Sequence, residues 1–187
     1  NKMVTWETAK KQNYGIDVTL LGNRLTFSAD LFFENRDDIL IKQQSLPDYI
    51  AADLPAVNIG KTTNKGYELS LGWNDQTRSG SFRYWTKFNV SFNRNKVIFK
   101  DEVKYDEPWK GETGRSIGIF EGYIFDRFYE PGDFDDDGNL LAGHAKPSGT
   151  VKPGDLKFKD LNGDKVIDGK DTAMFGYSER PEYTFGW

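Results

Sequence analysis

Between Asp160 and Asp171 the chain reads Asp-Leu-Asn-Gly-Asp-Lys-Val-Ile-Asp-Gly-Lys-Asp. Side-chain oxygens fall at positions 1, 3, 5, 9 and 12 of this stretch, on Asp160, Asn162, Asp164, Asp168 and Asp171. Val166, at position 7, offers a backbone carbonyl. A hard cation such as calcium needs about six to eight oxygens, and a coiled acidic loop with this rhythm can deliver them. Calcium is therefore the expected cofactor of the loop. Three features depart from the EF-hand pattern: glycine stands at position 4 while position 6 is Lys165, the last ligand is the short Asp171, and the flanks lie too close to Gly154 and Gly176 for long helices. A solvated turn built on Asn-Gly and Asp-Gly chemistry is the competing reading. The acidic run Asp133, Asp135, Asp136, Asp137 before Gly138-Asn139 is expected to be such a turn rather than a second cation site.

Other reactive groups do not assemble into a catalytic pattern, and no enzyme activity is expected. His144, the single histidine, sits in Gly143-His144-Ala145 and reads as a solvated loop residue. Glu102, Asp106 and Glu107 could pair with Asp135 or Asp137 as glycosidase carboxylates, but acidic loop residues are common. No glycine-rich phosphate loop opens a helix. Trp109, Tyr123 and Tyr129, and also Trp85, could stack on sugar rings. Trp109, in Glu107-Pro108-Trp109-Lys110, is the first choice among these ligand-contact candidates.

The net charge of −4 argues against nucleic acid as a partner. With no cysteine there is no disulfide frame. Aromatic residues make up 15% of a chain whose mean hydropathy is only −0.69. No apolar run approaches a membrane helix. A polar, aromatic-rich chain with period-two patterning can still be embedded in a membrane, as a barrel.

The elements that must carry these groups read as strands. Tyr14, Ile16, Val18 and Leu20 alternate with polar residues and glycine. Gly22-Asn23 signals a two-residue turn. Leu25, Phe27, Ala29, Leu31 and Phe33 then alternate with a polar row that only Phe32 interrupts. Ile39-Leu40-Ile41 extends this strand, and Pro47, Asp48, Pro55 and Asn58 mark a loop. Tyr67 to Trp73 and Phe82 to Phe92 are two more alternating runs, joined by the polar turn 74–80. The stretch 117–128 is aromatic and β-like, and Tyr183, Phe185 and Trp187 begin a last strand. Short and long connections alternate, as in outer-membrane barrels. The aromatic row then faces lipid, with Trp73, Tyr84, Tyr183 and Trp187 as interfacial girdle candidates. On the same count, 117–128 is not a lone membrane-crossing strand. The fold class expected is all-β: antiparallel strands of a large transmembrane barrel, in part, with long extracellular loops. The domains expected are 1–93, barrel strands and loop; 94–182, a loop region holding the cation loop 160–171; and 183–187, the start of the next strand. Both ends fall inside strand-like patterning, so an excerpt of a longer protein is expected.

Longer motifs sharpen this. Thr5-Trp6-Glu7-Thr8-Ala9-Lys10 with Asn13-Tyr14-Gly15-Ile16-Asp17 resembles the lead-in to a late barrel hairpin of the SusC/RagA-like TonB-dependent outer-membrane transporters. Asn23-Arg24-Leu25, Asn58-Ile59-Gly60, Asn64-Lys65-Gly66-Tyr67-Glu68-Leu69 and Phe88-Asn89-Val90-Ser91-Phe92-Asn93 continue the match. So do Ser116-Ile117-Gly118, Pro153-Gly154-Asp155-Leu156-Lys157, the cation loop and Pro181-Glu182-Tyr183-Thr184-Phe185-Gly186. Each motif is weak alone; their order and spacing carry the resemblance across nearly the whole chain.

The resemblance implies part of a plugged barrel of about 22 strands. Such proteins sit in the cell outer membrane and import glycans or peptides. Their implied partners are a SusD-like surface lipoprotein and the TonB system, which the chain would reach through a segment it does not contain. The competing reading from the residues is a soluble, calcium-stabilised β-sandwich that binds carbohydrate.

Overall fold

The computed structural model describes residues 4–43 and 55–187. The expected loop residues Pro47 and Asp48 lie outside this set. The described residues divide into two units, one of 4–43, 55–103, 112–118 and 177–187, the other of 104–111 and 119–176.

The first unit is an antiparallel meander. β1 (Thr8–Leu20), β2 (Leu25–Ile41), β3 (Val57–Gln76), β4 (Arg83–Phe99) and β11 (Tyr183–Gly186) lie side by side in the order β1-β2-β3-β4-β11. The period-two runs are its centre, but every strand except β11 extends past them. A ladder needs only paired backbone groups, so polar residues and glycine can continue a strand where the apolar pattern has stopped. Asn58, expected in a loop, stands in β3. Its side chain donates to the carbonyls of Thr5 (2.9 Å) and Asp38 (2.7 Å) and accepts from the Thr5 amide (2.9 Å). Asp38 takes a left-handed φ of 59° where the β2–β3 register shifts, a bulge that Asn58 fastens.

The first hairpin departs from expectation. Leu20 pairs with Leu25, so the turn holds residues 21–24 rather than two. Leu21, Gly22 and Asn23 all have left-handed φ, at 55°, 65° and 69°. β3 and β4 are joined through residues 77–82, closed by the Thr77 amide donating to the Phe82 carbonyl (2.9 Å). The short connections share one end of the sheet. At the other end the chain runs from Ile41 to Val57 and from Phe99 to Tyr183.

The second unit is built from short pairs. β5 (Ile119–Tyr123) pairs with β10 (Thr172–Ser178). β6 (Phe125–Phe128) runs antiparallel to β8 (Leu156–Phe158), and β7 (Lys146–Pro147) parallel to β9 (Val166–Ile167). The expected β-like stretch 117–128 is thus β5 and β6, outside the five-stranded sheet. Tyr129, Ile167 and Ala173 are its buried apolar residues among those described, and Asp133 and Asp171 are buried with them.

Candidate functional site

The six expected cation ligands occupy one compact loop whose side chains cap its own backbone. Asp160 accepts from the Gly163 amide (2.7 Å) and the Lys165 amide (2.8 Å). Asn162 accepts from the Asp164 amide (3.0 Å) and donates to the Asp164 carboxylate (2.8 Å). Asp164 accepts from the Val166 amide (2.9 Å), and Asp168 from the Lys170 amide (2.7 Å). Asp171 is fully buried and accepts from the Leu161 amide (2.8 Å) and the Asp168 amide (2.9 Å). These are the local bonds that aspartate and asparagine offer turns. The Val166 and Asn162 donors hold the Asp164 carboxyl below its ordinary range. Gly163 and Lys165 both turn left-handed, with φ of 78° and 64°. Lys165 thus makes the bend usually given to glycine at position 6. Among the described residues no group of three or more His, Cys, Asp or Glu is gathered as a metal would require.

A second cluster is one that spacing does not disclose. Arg127 forks onto Asp133 with contacts of 2.7 and 2.6 Å. The Glu130 amide donates to the same carboxylate (2.9 Å). His144 Nε2 lies 3.0 Å from Asp133, and its Nδ1 lies 3.0 Å from Lys157 Nζ. Lys157 also stands over the Tyr129 ring at 5.7 Å. His144, expected in a solvated loop, therefore bridges two charged groups. With Lys157 as donor, Nδ1 accepts and Nε2 carries the hydrogen toward Asp133. The Arg127 guanidinium and the Glu130 amide hold the Asp133 carboxyl well below the usual carboxylate range. Asp135 is likewise lowered, chiefly by the Asn139 amide, in the solvated turn expected there.

The aromatic candidates separate. Trp109 is half-buried, and its indole donates to the Lys170 carbonyl (2.9 Å) while its own carbonyl accepts from the Met174 amide (3.1 Å). Lys110 donates to the Gly169 carbonyl, so this segment is fastened to the end of the cation loop. Tyr123 packs on Phe158 with ring centres 5.3 Å apart and keeps an exposed edge. Tyr129 is a core residue, 3% exposed, against Phe134. Trp85 stands exposed on the polar face of the sheet. Glu102 caps the amides of Glu112 and Thr113 (2.9 and 3.0 Å).

The sheet itself has two unlike faces. On one, Val18, Phe27, Leu71 and Phe88 lie across four strands, and Ile16, Ala29, Leu69, Val90 and Phe185 across five. Tyr14, Leu31, Tyr67, Phe92 and Tyr183 form the next row. In that row Phe92 meets Tyr67 at 5.5 Å and Tyr183 at 4.8 Å. Trp73 and Tyr84 mark the opposite limit, where the Trp187 indole donates to Thr86 (2.7 Å). From Leu25 to Phe33 this band covers about nine residues, the length of a tilted membrane-crossing strand. It is exposed: Ile16 at 56%, Leu31 at 49% and Phe88 at 44%.

The other face is wet. It holds a chain of ion pairs, Lys11–Glu34–Arg36–Glu7, beside a cleft of about 440 Å³ lined by Asn64, Asn93, Ser116 and Arg180. Phe32 interrupts the polar row for a local reason: its ring covers Gly66 on β3, at a site where a Cβ would lie 2.5 Å from it.

The family model for the TonB dependent receptor-like β-barrel matches residues 1–176. TonB-dependent receptor P3 of Formosa agariphila is 32% identical over the full chain, which covers 19% of that receptor. TonB-dependent receptor SusC of Bacteroides thetaiotaomicron is 25% identical over 94% of the chain and 17% of its own length. The solved RagAB peptide importer in its closed-closed state shares the fold, with a TM-score of 0.62 at 20% identity over 97% of this chain and 19% of that one. The chain thus spans about a fifth of the proteins it matches. Neighbouring strands in register, with an apolar band on one face and polar groups on the other, agree with that match: the chain belongs to the TonB dependent receptor-like β-barrel family.

Proposed function

We propose that this chain forms wall strands and extracellular loops of an outer-membrane transporter that imports glycans or peptides, energised through the TonB system and capped by a SusD-like surface lipoprotein. The observation that carries the reading is the exposed apolar band, bounded by aromatic rows, opposite a face of ion pairs and amides. Bilayer hydrocarbon covers such a band without a protein partner. A soluble sandwich would need Leu31 and Phe88 covered by a second sheet, and both are exposed. The test is a spin-label scan of the full-length protein in membrane, which this stretch permits because it has no cysteine. Labels at Phe27, Ala29 and Leu31 are expected to meet oxygen dissolved in lipid, and labels at Ser28 and Asp30 a water-soluble relaxant. Equal access at odd and even positions would overturn the reading.

Calcium in the loop 160–171 belongs to the same proposal. Four carboxylates, Asp160, Asp164, Asp168 and Asp171, stand within twelve residues, and a bound cation would offset the repulsion among them. Chelation should then speed amide exchange across residues 153–177 in the full-length protein. Unchanged exchange, with no calcium retained on dialysis, would remove the cation and leave a loop stiffened by its own amide bonds.

A further inference from the structure

We infer that the cleft on the polar face of the sheet is a subsite for an acidic saccharide, a hydroxylated ring bearing a carboxylate, which Arg180 grips and Asn64, Ser116 and Ser178 orient. The inference rests on the transporter reading, in which this face lines the lumen, and it narrows the imported cargo to one class. The register sets Lys11, Glu34, Asn64 and Asn95 side by side across four strands. The next row is Ala9, Arg36, Thr62 and Val97. Side chains alternate along a strand, so both rows share the polar face with Asp30 and Ser91. They lie toward the end of the sheet with the long connections, the extracellular end in barrels of this kind. Ser116, Ser178, Arg180 and Glu182 add to the lining, and the Ile117 amide is fastened to the Asn95 side chain (2.7 Å). All of these residues belong to the first unit. The cleft of about 440 Å³ is within the roughly 300–1,000 Å³ usual for small-ligand sites.

The carboxylates of the cleft are already answered. Glu34 and Glu7 accept from Arg36 (2.7 and 2.8 Å), and Glu182 accepts the fork of Arg94 (2.7 and 2.7 Å). Arg180 is exposed, lines the cleft and makes no ion pair among the described residues. Its guanidinium is therefore the surplus charge, and a planar fork of donors fits a carboxylate. The other groups ask for donors. Asn64 Oδ1 is, among the described residues, the one buried side-chain polar atom without a hydrogen-bond partner. A buried acceptor in that state is costly until a donor reaches it. Ser116 and Ser178 direct their hydroxyl hydrogens to the carbonyls of Asn95 (3.2 Å) and Arg180 (2.9 Å), so their oxygens are left to accept. One carboxylate and several hydroxyl donors are what a uronic acid ring carries. Among the described lining residues none is aromatic, so a neutral sugar finds no ring to stack on. Only Ile39, Ile117 and Pro181 are apolar, so the side-chain pockets that a peptide would fill are missing.

Isothermal titration calorimetry of the full-length protein in detergent tests this. The probes are trimers of galacturonate, glucuronate and mannuronate, and their methyl esters, which keep the hydroxyls and lose the charge. At least one acid should bind more tightly than its ester. Arg180→Gln should weaken that acid by about tenfold and leave the ester as it was. Arg83→Gln, on the same face near the short connections, should change neither. Equal binding of acid and ester, no binding of any acid, or an acid indifferent to Arg180→Gln would each overturn the subsite. So would tri-aspartate that binds as tightly as the best acid and is lost with Arg180, because the cargo would then be a peptide. A spin label at Asp30 in membrane-embedded protein separates two failures. If it meets a water-soluble relaxant while the subsite fails, the lumen stands. If it meets oxygen dissolved in lipid, both fall.

Discussion

Asp133 shows how a single loop carboxylate can organise more than its spacing suggests. The sequence places it in an acidic turn, and its neighbour Asp135 does cap that turn. Asp133 instead turns inward to Arg127 and His144, which lie in separate stretches of the second unit. No periodicity links these residues; only the folded loop does, so the cluster could not be read beforehand. Its consequence for pH has a definite sign. In the folded state the Asp133 carboxyl sits below its ordinary range, and Asp135 and Asp164 are shifted the same way. The stability they contribute is therefore fully present above about pH 3.9 and is lost as pH falls through the folded-state values. The protection factors of amides in residues 125–160 of the full-length protein, with exchange corrected for its intrinsic pH dependence, should fall on acidification below about pH 4. Asp133→Asn should raise exchange already at neutral pH and flatten its acid dependence. An acid profile identical in the variant and the parent would deny Asp133 this role.

At the scale of strands, the sequence was most legible where one face is uniformly apolar. β1, β2 and β4 were anchored by residues such as Ile16, Leu31 and Phe88, and their pairings follow that pattern. Strand ends were less legible, because Asn58 and Val97 pair through backbone groups that no side-chain pattern reports. The first turn was misjudged because Leu21 adopts a left-handed conformation its type disfavours. Gly66 is where an element depends on one residue. A Cβ there would lie 2.0 Å from the Phe92 carbonyl oxygen and 2.5 Å from the Phe32 ring. The ring can rotate away, but the Phe92 backbone cannot move without breaking the β3–β4 ladder. Gly66→Ala should cost about 1–3 kcal/mol or more. It should appear as a lower unfolding temperature of the full-length protein on heat-modifiable gels. Adding Phe32→Ala should not restore it. Full rescue by that second change would place the conflict in the ring and not in the ladder.

For the molecule as a whole, the legible feature was the alternation of short and long connections together with a greasy row opposite a wet one. What that pattern could not contain was the internal build of residues 119–176, where every strand but β10 has two to five residues, too few to show a period. The sheet in turn explains how the chain should behave when produced by itself. Its apolar face is exposed on every strand, and the outer sides of β1 and β11 present unpaired backbone donors and acceptors. Buried apolar area is worth about 25 cal/mol per Å², so rows such as Val18, Phe27, Leu71 and Phe88 favour any partner that covers them. Open edges add a template for strand pairing, which barrel closure normally removes. Residues 1–187 expressed alone should therefore sediment as associated species in water and disperse in detergent. Replacing Leu31, Leu69 and Phe88 together by Ser should shift the distribution toward monomer. A stable, water-soluble monomer of the unaltered chain would mean that the apolar band finds its cover within these residues, and the membrane reading would fail with it.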